Sequence, residues 1–217
     1  MNLEQARFNM VEQQVRTWDV LDQDVLDLLF ELKREEFLPE RVRALAFVDM
    51  PVPIGFGEVA LPPKLEARIL QELSLKKTDR VLEIGSGCGY MTALLAKCSQ
   101  RVISVEIIAE LSAFAEKNLR AQAIENVTIA VGDGAQGWRS AAAFDVIVLT
   151  GSTPVLPDAF LQSLNPGGRL FAVVGEEPMM KAMLISKGAG GDIEQHELFE
   201  TCIAPLKNAA QREQFVF

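Results

Sequence analysis

Two rhythms of apolar and polar positions divide the chain near residue 75. Before that point the apolar residues recur at helical spacing. Leu3, Phe8, Val11 and Val15 fall roughly on one stripe, and Val25, Leu26, Leu28, Leu29 and Leu32 form a second behind an N-cap at Asp22. Pro62 and Pro63 stand where a third helix would start, with Leu65, Ile69, Leu70 and Leu73 on its buried face. Between them, residues 49–58 contain Pro51, Pro53, Gly55 and Gly57, so neither a regular helix nor a central strand runs through, and a structured loop is expected.

From Arg80 the pattern changes to short β-branched runs alternating with helical segments, as in βαβ units that build a largely parallel sheet. Strands are expected at 81–84, 102–105, 127–131, 145–149 and 170–174, with helices near 90–98, 108–122 and 157–164. After Gly175 the rhythm breaks again. Residues 179–186 and 194–204 flank Gly188, Gly190 and Gly191, which predicts a terminal β-hairpin and an antiparallel sheet edge. The class is therefore α/β, with a helical segment over residues 1–75 and a sheet-bearing segment over residues 76–217.

Composition narrows the choice of function. A chain of 217 residues is long enough for a full core, and 49% apolar with 24% charged residues is the balance of a soluble globular protein. The 21 Lys+Arg against 30 Asp+Glu leave 21 − 30 = −9, which opposes charge-driven binding to nucleic acid or anionic membrane. No segment approaches the roughly 18 apolar residues a membrane helix needs, and the N-terminus lacks a basic region followed by an apolar run, so a cytoplasmic protein is expected. Cys88, Cys98 and Cys202 are odd in number and unpaired in spacing, which suggests a reducing compartment and no cysteine-based metal site. With His196 the only histidine, most zinc sites and hydrolase triads lack their parts, and no metal is expected.

The chemistry concentrates where strand 81–84 runs into Gly85, Gly87 and Gly89 and then a helix. Glycine there removes the Cβ atoms that would keep a ligand off the main chain. The G-x-G-x-G spacing is one residue shorter than the dinucleotide fingerprint, and Glu83 precedes it by two positions, so a pyrophosphate is disfavoured. A carboxylate beside the turn would instead pair with an amino group, such as that of S-adenosylmethionine. Glu106 follows the first glycine by 106 − 85 = 21 residues, at a second strand end, where an acid binds a ribose diol. Asp133, after the third strand, is placed to meet an adenine edge. The neighbours Ser86, Tyr90, Ile107, Gly132, Gly134 and Thr150 complete this candidate cofactor set. At the fourth strand end, Thr150, Gly151, Ser152, Thr153 and Pro154 contain no Asn/Asp-Pro-Pro-aromatic tetrad of the kind that aligns exocyclic amines, so an oxygen acceptor is favoured. Cys88 reads as a small packing residue, Trp18 and Trp138 as core or subdomain contacts, and His196 as an exposed strand residue.

Several motifs agree in order with one family. They are residues 33–39 (Lys-Arg-Glu-Glu-Phe-Leu-Pro), residues 46–55 ending Pro-Ile-Gly, the glycine turn, Val105-Glu106, residues 132–138 (Gly-Asp-Gly-Ala-Gln-Gly-Trp), residues 144–148 and Ala204-Pro205-Leu206. Over nearly its whole length the chain resembles the protein-L-isoaspartate O-methyltransferase family of the class I S-adenosylmethionine-dependent superfamily. The resemblance implies a doubly wound, Rossmann-like, seven-stranded, mostly parallel sheet with an antiparallel terminal hairpin and an N-terminal helical subdomain. It implies methyl transfer from S-adenosylmethionine to the abnormal α-carboxylate of isoaspartyl residues in damaged proteins or peptides, and a substrate loop formed by Ile54, Gly55, Phe56, Gly57, Glu58, Val59, Ala60 and Leu61. A carboxylate is already anionic at neutral pH, so no catalytic base is expected. One departure stands out. Family members usually continue this loop as Gln-Thr-Ile-Ser-Gln-Pro, whereas this chain has Glu58, Val59, Ala60, Leu61, Pro62 and Pro63, with Leu61 at the family's Ser position. Each lost hydrogen bond to the substrate carboxylate would cost about 1.5–3 kcal/mol. Three outcomes fit: isoaspartyl methylation with Glu58 turned to solvent, methylation of a less anionic or more apolar acceptor, and S-adenosylmethionine binding without catalysis.

Overall fold

The computed structural model describes residues 2–212; Met1 and residues 213–217, at the outer ends of the two expected segments, lie outside it. Helix α1 (Leu3–Met10) is capped by Asn2, whose side chain accepts from the Gln5 N–H. The helix then widens into a π turn (Val11–Val15) and tightens into a 3-10 turn (Arg16–Trp18). This corrects the first expected stripe. Leu3 and Phe8 are exposed, and the inward face is Arg7, Met10, Val11 and Val15: Leu3 sits in the first turn of the helix, and Phe8, one residue past Arg7, falls off the 7–11–15 line that faces the core. Arg7 turns inward to pair with buried Glu35. Helix α2 (Gln23–Glu31) starts as expected, with Asp22 accepting from the Asp24 N–H at 3.0 Å and Val25, Leu26, Leu28 and Leu29 buried.

The loop expected over residues 49–58 is largely a hairpin: β1 (Val52–Gly55) pairs antiparallel with β2 (Glu58–Ala60). Phe56 and Gly57 both have positive φ, 54° and 82°, the conformation whose twist suits a two-residue hairpin turn. Pro53 is tolerated because the ribbon has only two strands and each is an edge. Helix α3 (Pro63–Leu73) follows, with Leu65, Ile69, Leu70 and Leu73 buried as the spacing predicts.

Seven strands form the main sheet: β3 (Arg80–Ile84), β4 (Arg101–Glu106), β5 (Val127–Val131), β6 (Phe144–Leu149), β7 (Leu164–Glu176), β8 (Met179–Lys187) and β9 (Ile193–Glu200), in the order β5-β4-β3-β6-β7-β8-β9. The first five are parallel, and β8 and β9 add antiparallel. Helices α4 (Tyr90–Cys98), α5 (Ala109–Ala121) and α6 (Asp158–Gln162) fill three of the four parallel crossovers, and the one from β5 to β6 is irregular. Strand β7 starts six residues earlier than expected, pairing Leu164 with Phe144 through an irregular register. The last strand stops at Glu200 rather than 204. Beyond it the backbone turns back to the sheet, where the Ser152 N–H donates to the Ala204 carbonyl and the Leu206 N–H to the Ser152 carbonyl, both at 2.9 Å. The chain winds outward through β3, β4 and β5, then returns to place β6 against β3, so the switch point lies at the carboxyl ends of β3 and β6. One apolar cluster runs from the N-terminal helices (Leu26, Leu29) through α3 (Leu65) into α4 (Leu94), so the first 75 residues share the sheet's core. Among the described residues, no helix is long and apolar enough to cross a membrane.

Candidate active site

A cavity opens at the switch point, walled by the carboxyl ends of β3 to β6, by the β1–β2 hairpin and by residues 203–207. Its floor is the glycine turn. Gly85 has φ 99°, and a Cβ there would stand 2.3 Å from Thr150 Oγ1, whose hydroxyl lies against the Ile84 and Gly85 carbonyls at 2.9 and 2.7 Å. A Cβ on Gly89 would meet the Ala115 backbone of α5 at 3.2 Å, so glycine allows the two helices to approach. The turn is fixed from behind by Asn118, whose Nδ2 donates to the carbonyls of Cys88 and Phe37, both at 2.9 Å. That bond ties the cradle to the motif at residues 33–39.

Glu106 is on the wall and 5% exposed. Its Oε2 accepts the Gly87 N–H at 2.9 Å and its Oε1 the Ile108 N–H at 3.0 Å. Asp133 also lines the cavity, accepting from the Ala135 N–H and from Asn208 Nδ2. Glu83 is elsewhere. It is fully buried behind the turn, where Oε2 accepts from Thr92 at 2.5 Å and Ser104 at 2.6 Å, and Ser104 in turn contacts Ser86 at 2.5 Å. The side chain at position 83 points towards α4 rather than out of the strand end. Burial pushes the Glu83 carboxyl up to about 8, so at neutral pH it is an uncharged brace under the cradle rather than an anion facing a ligand.

The other candidate cofactor residues divide simply. Gly85, Ser86, Gly87, Tyr90, Ile107, Gly132, Gly134 and Thr150 are on the wall, and Gly89 is behind it. Of the expected substrate loop, Ile54, Glu58, Val59, Ala60 and Leu61 face the cavity, whereas Gly55, Phe56 and Gly57 make the hairpin's bend away from it. The sequence reading missed Glu66, Met91 and Leu111, and above all Ile203, Ala204, Pro205, Leu206 and Lys207. The motif Ala204-Pro205-Leu206 was a signal for the last group, although nothing in its spacing places it over the glycine turn.

On the acceptor side, Glu58 neither points into solvent nor stands as an uncompensated charge. It faces the cavity with Oε1 2.5 Å from Lys207 Nζ. Beneath it, the buried Arg34 donates from Nε to Glu66 Oε2 at 2.9 Å, from Nη1 to the Ala46 carbonyl at 2.8 Å and from Nη2 to the Leu61 carbonyl at 2.6 Å. Burial pushes the Glu66 carboxyl up, against the opposing pull of Arg34. Burial also pushes the Cys88 thiol up to about 11, so it is a packed thiol rather than a nucleophile. Among the described residues, the acids on the wall are Glu58, Glu66, Glu106 and Asp133 and the cation on it is Lys207, with Arg34 behind the wall paired to Glu66. Such a lining repels phosphate and suits a ligand bearing cationic groups and sugar hydroxyls, with Ile107 and Leu111 supplying apolar surface. The residues present fit an adenosyl sulfonium amino acid.

The fold and cradle define a Rossmann-like, adenosyl-binding domain of methyltransferase type. Within that class, the family model for protein-L-isoaspartate(D-aspartate) O-methyltransferase (PCMT) matches residues 5–211, and the chain belongs to this family. It is 36% identical over 200 residues to the protein-L-isoaspartate O-methyltransferase of Methanoculleus marisnigri, covering 92% of this chain and 90% of that one. It is 40% identical over 179 residues to that of Anaeromyxobacter dehalogenans, covering 82% and 86%. A Plasmodium falciparum crystal structure of the same family name, in complex with S-adenosyl-L-homocysteine, superposes with a TM-score of 0.79 at 25% identity, covering 95% of this chain and 98% of that one.

Proposed function

We propose that this protein is an S-adenosylmethionine-dependent O-methyltransferase acting on the carboxylate of isoaspartyl residues in damaged proteins and peptides. The observation that carries the reading is Glu106, a buried carboxylate held by Gly87 and Ile108 N–H groups on the wall of an acid-lined cradle. Its remaining lone pairs would hold the ribose hydroxyls. Gly132, Asp133 and Gly134 would meet the adenine edge, and Ile107 its face. When bound, the cofactor supplies an activated methyl group on a sulfonium, transferable with the C–S electron pair staying on sulfur. The chain's own task is alignment and exclusion of water, because an acceptor carboxylate needs no base to become nucleophilic. Ile54, Val59, Leu61, Pro205 and Leu206 furnish the dry wall for that step. Arg34 fixes the loop's backbone at Leu61.

In this reading residues 1–75 cover the acceptor side and residues 76–217 hold the cofactor. The free thiols of Cys88, Cys98 and Cys202 support a reducing, cytoplasmic setting. The test is an isoaspartyl peptide with a labelled methyl donor: a base-labile methyl ester is expected, and S-adenosylhomocysteine binding without transfer to this peptide would overturn the acceptor assignment. A second reading, a retuned acceptor preference, draws support from the hydroxyl-free wall of Val59, Ala60 and Leu61. It predicts turnover on other acceptors. Restoring Gln-Thr-Ile-Ser across residues 58–61 separates the two, since a large gain in isoaspartyl activity is expected only if the native loop disfavours that acceptor.

A further inference from the structure

Among the described residues, the cavity wall carries one cation, and it comes from a part of the chain remote from the substrate loop. Lys207 follows a segment pinned by Ser152, whose N–H donates to the Ala204 carbonyl and whose Oγ donates to the Ile203 carbonyl at 3.1 Å. Its backbone is thereby anchored while its four-carbon stem spans the mouth to Glu58 at 2.5 Å. The two side chains are 45% and 27% exposed, so this is a partly hydrated pair, of a kind that contributes little net free energy and exchanges readily. The residue two positions beyond β1–β2's Val59, Leu61, has no donor to offer a carboxylate. An ammonium has three.

We propose that Lys207 is the specificity-determining residue for the acceptor: its ammonium leaves Glu58 and pairs with the acceptor carboxylate, taking over the work of the missing hydroxyls. The proposal rests on the methyltransferase reading above and names the group that recognises the substrate in it. Glu58 becomes the internal competitor. Both carboxylates seek one ammonium, so an acceptor binds only if it is anionic enough to displace Glu58. Methylation removes the acceptor's charge, the neutral ester loses the contest, and Lys207 returns to Glu58 as product leaves. The substitutions at 58 and 61 and the lysine at 207 thus form one altered recognition device rather than a damaged one.

Steady-state kinetics with an isoaspartyl peptide at saturating S-adenosylmethionine test this, alongside calorimetry with S-adenosylhomocysteine. Lys207→Met should raise KM about tenfold or more, the loss expected for a hydrogen-bonded ion pair to a charged group, with kcat changed far less. Lys207→Arg should restore most of the loss, and Glu58→Gln should lower KM severalfold, by removing the competitor. All three should bind S-adenosylhomocysteine as the wild type does. An unchanged KM in Lys207→Met overturns the proposal and leaves the function standing. A KM in Glu58→Gln that rises as in Lys207→Met shows the pair to be a structural clasp and overturns it too. If wild type and Glu58→Gln both bind S-adenosylhomocysteine yet transfer no methyl to the peptide, the isoaspartyl function itself fails and this inference with it.

Discussion

A carboxylate that accepts two backbone N–H groups is an unusual thing to find on the wall of a cavity unless its other lone pairs have a use. At Glu106 the Gly87 and Ile108 amides orient the side chain before any ligand arrives, so binding there costs little rearrangement. Replacing Glu106 with Ala should weaken S-adenosylhomocysteine about tenfold or more, because hydrogen bonds to a charged group contribute about 1.5–3 kcal/mol. Calorimetry decides it, and an unaltered affinity removes Glu106 from the site. Glu83 makes the opposite case. Its folded carboxyl keeps its proton up to about 8, whereas an ordinary glutamate loses it near 4.5. A group raised in this way stabilises the fold fully below the unfolded value, and that contribution is lost as pH rises through the folded one. Stability should therefore fall between pH 4.5 and 8, this group adding a slope of up to about 1.4 kcal/mol per pH unit. Glu83→Gln, which keeps an oxygen for Thr92 and Ser104, should flatten the slope and be the more stable protein at pH 8. Urea denaturation at a series of pH values measures this, and a slope equal to the wild type's would show that Glu83 is ionised in the fold.

Among the elements, the loop between β2 and α3 depends most on a single side chain. Arg34 joins the Glu66 carboxylate of α3 to the Leu61 and Ala46 carbonyls, all buried. Removing Arg34 leaves Glu66 buried with no cation to hold it ionised and leaves two buried carbonyls without a donor, so Arg34→Met should destabilise the fold by about 3–5 kcal/mol. Adding Glu66→Leu should recover part of that loss but not all, because two carbonyls still lack a donor. Denaturation midpoints of the single and double variants test the point, and full additivity would show that Arg34 and Glu66 do not act as a pair. The same elements show what was legible in the sequence. Helices α2, α3 and α5 announce themselves by apolar positions at helical spacing, and strands β3, β4 and β6 by short β-branched runs that the sheet buries almost throughout. The turn into α4 is legible because only glycine accepts its backbone. The β1–β2 hairpin is hidden because its bend places Phe56, a residue with no preference for positive φ, beside Gly57. The π turn after α1 is hidden because Val11 and Val15 are spaced as in an ordinary helix. Strand alternation identifies Glu83 as a strand-end acid without showing whether it points out of the end or under α4. Lys207 and Glu58 are 207 − 58 = 149 residues apart, and only the return of the chain to Ser152 brings them together.

At the scale of the whole molecule, charge and cavity point the same way. The chain carries a net −9, and among the described residues lining the switch-point cavity Glu106 and Asp133 remain without a cationic partner after Lys207 offsets Glu58 and Arg34 offsets Glu66. A field of this sign assists a cationic cofactor and hinders any acceptor that approaches as an anion, including the carboxylate the site is proposed to methylate. The acceptor's own flanks must then decide how readily it arrives. Isoaspartyl peptides with Lys or Arg on either side of the modified residue should show KM values severalfold lower than peptides with Asp or Glu flanks, chiefly through faster association. The difference should shrink as salt rises, since the screening length falls from about 10 Å at 0.1 M to about 3 Å at 1 M. Lys207→Met should widen the gap at low salt by deleting the charge that offsets Glu58. Measuring both peptides in both proteins across a salt series tests field and contact separately: equal KM values at low salt would show that acceptor choice is made wholly by groups in contact, and that the acidic surface around the cavity takes no part in it.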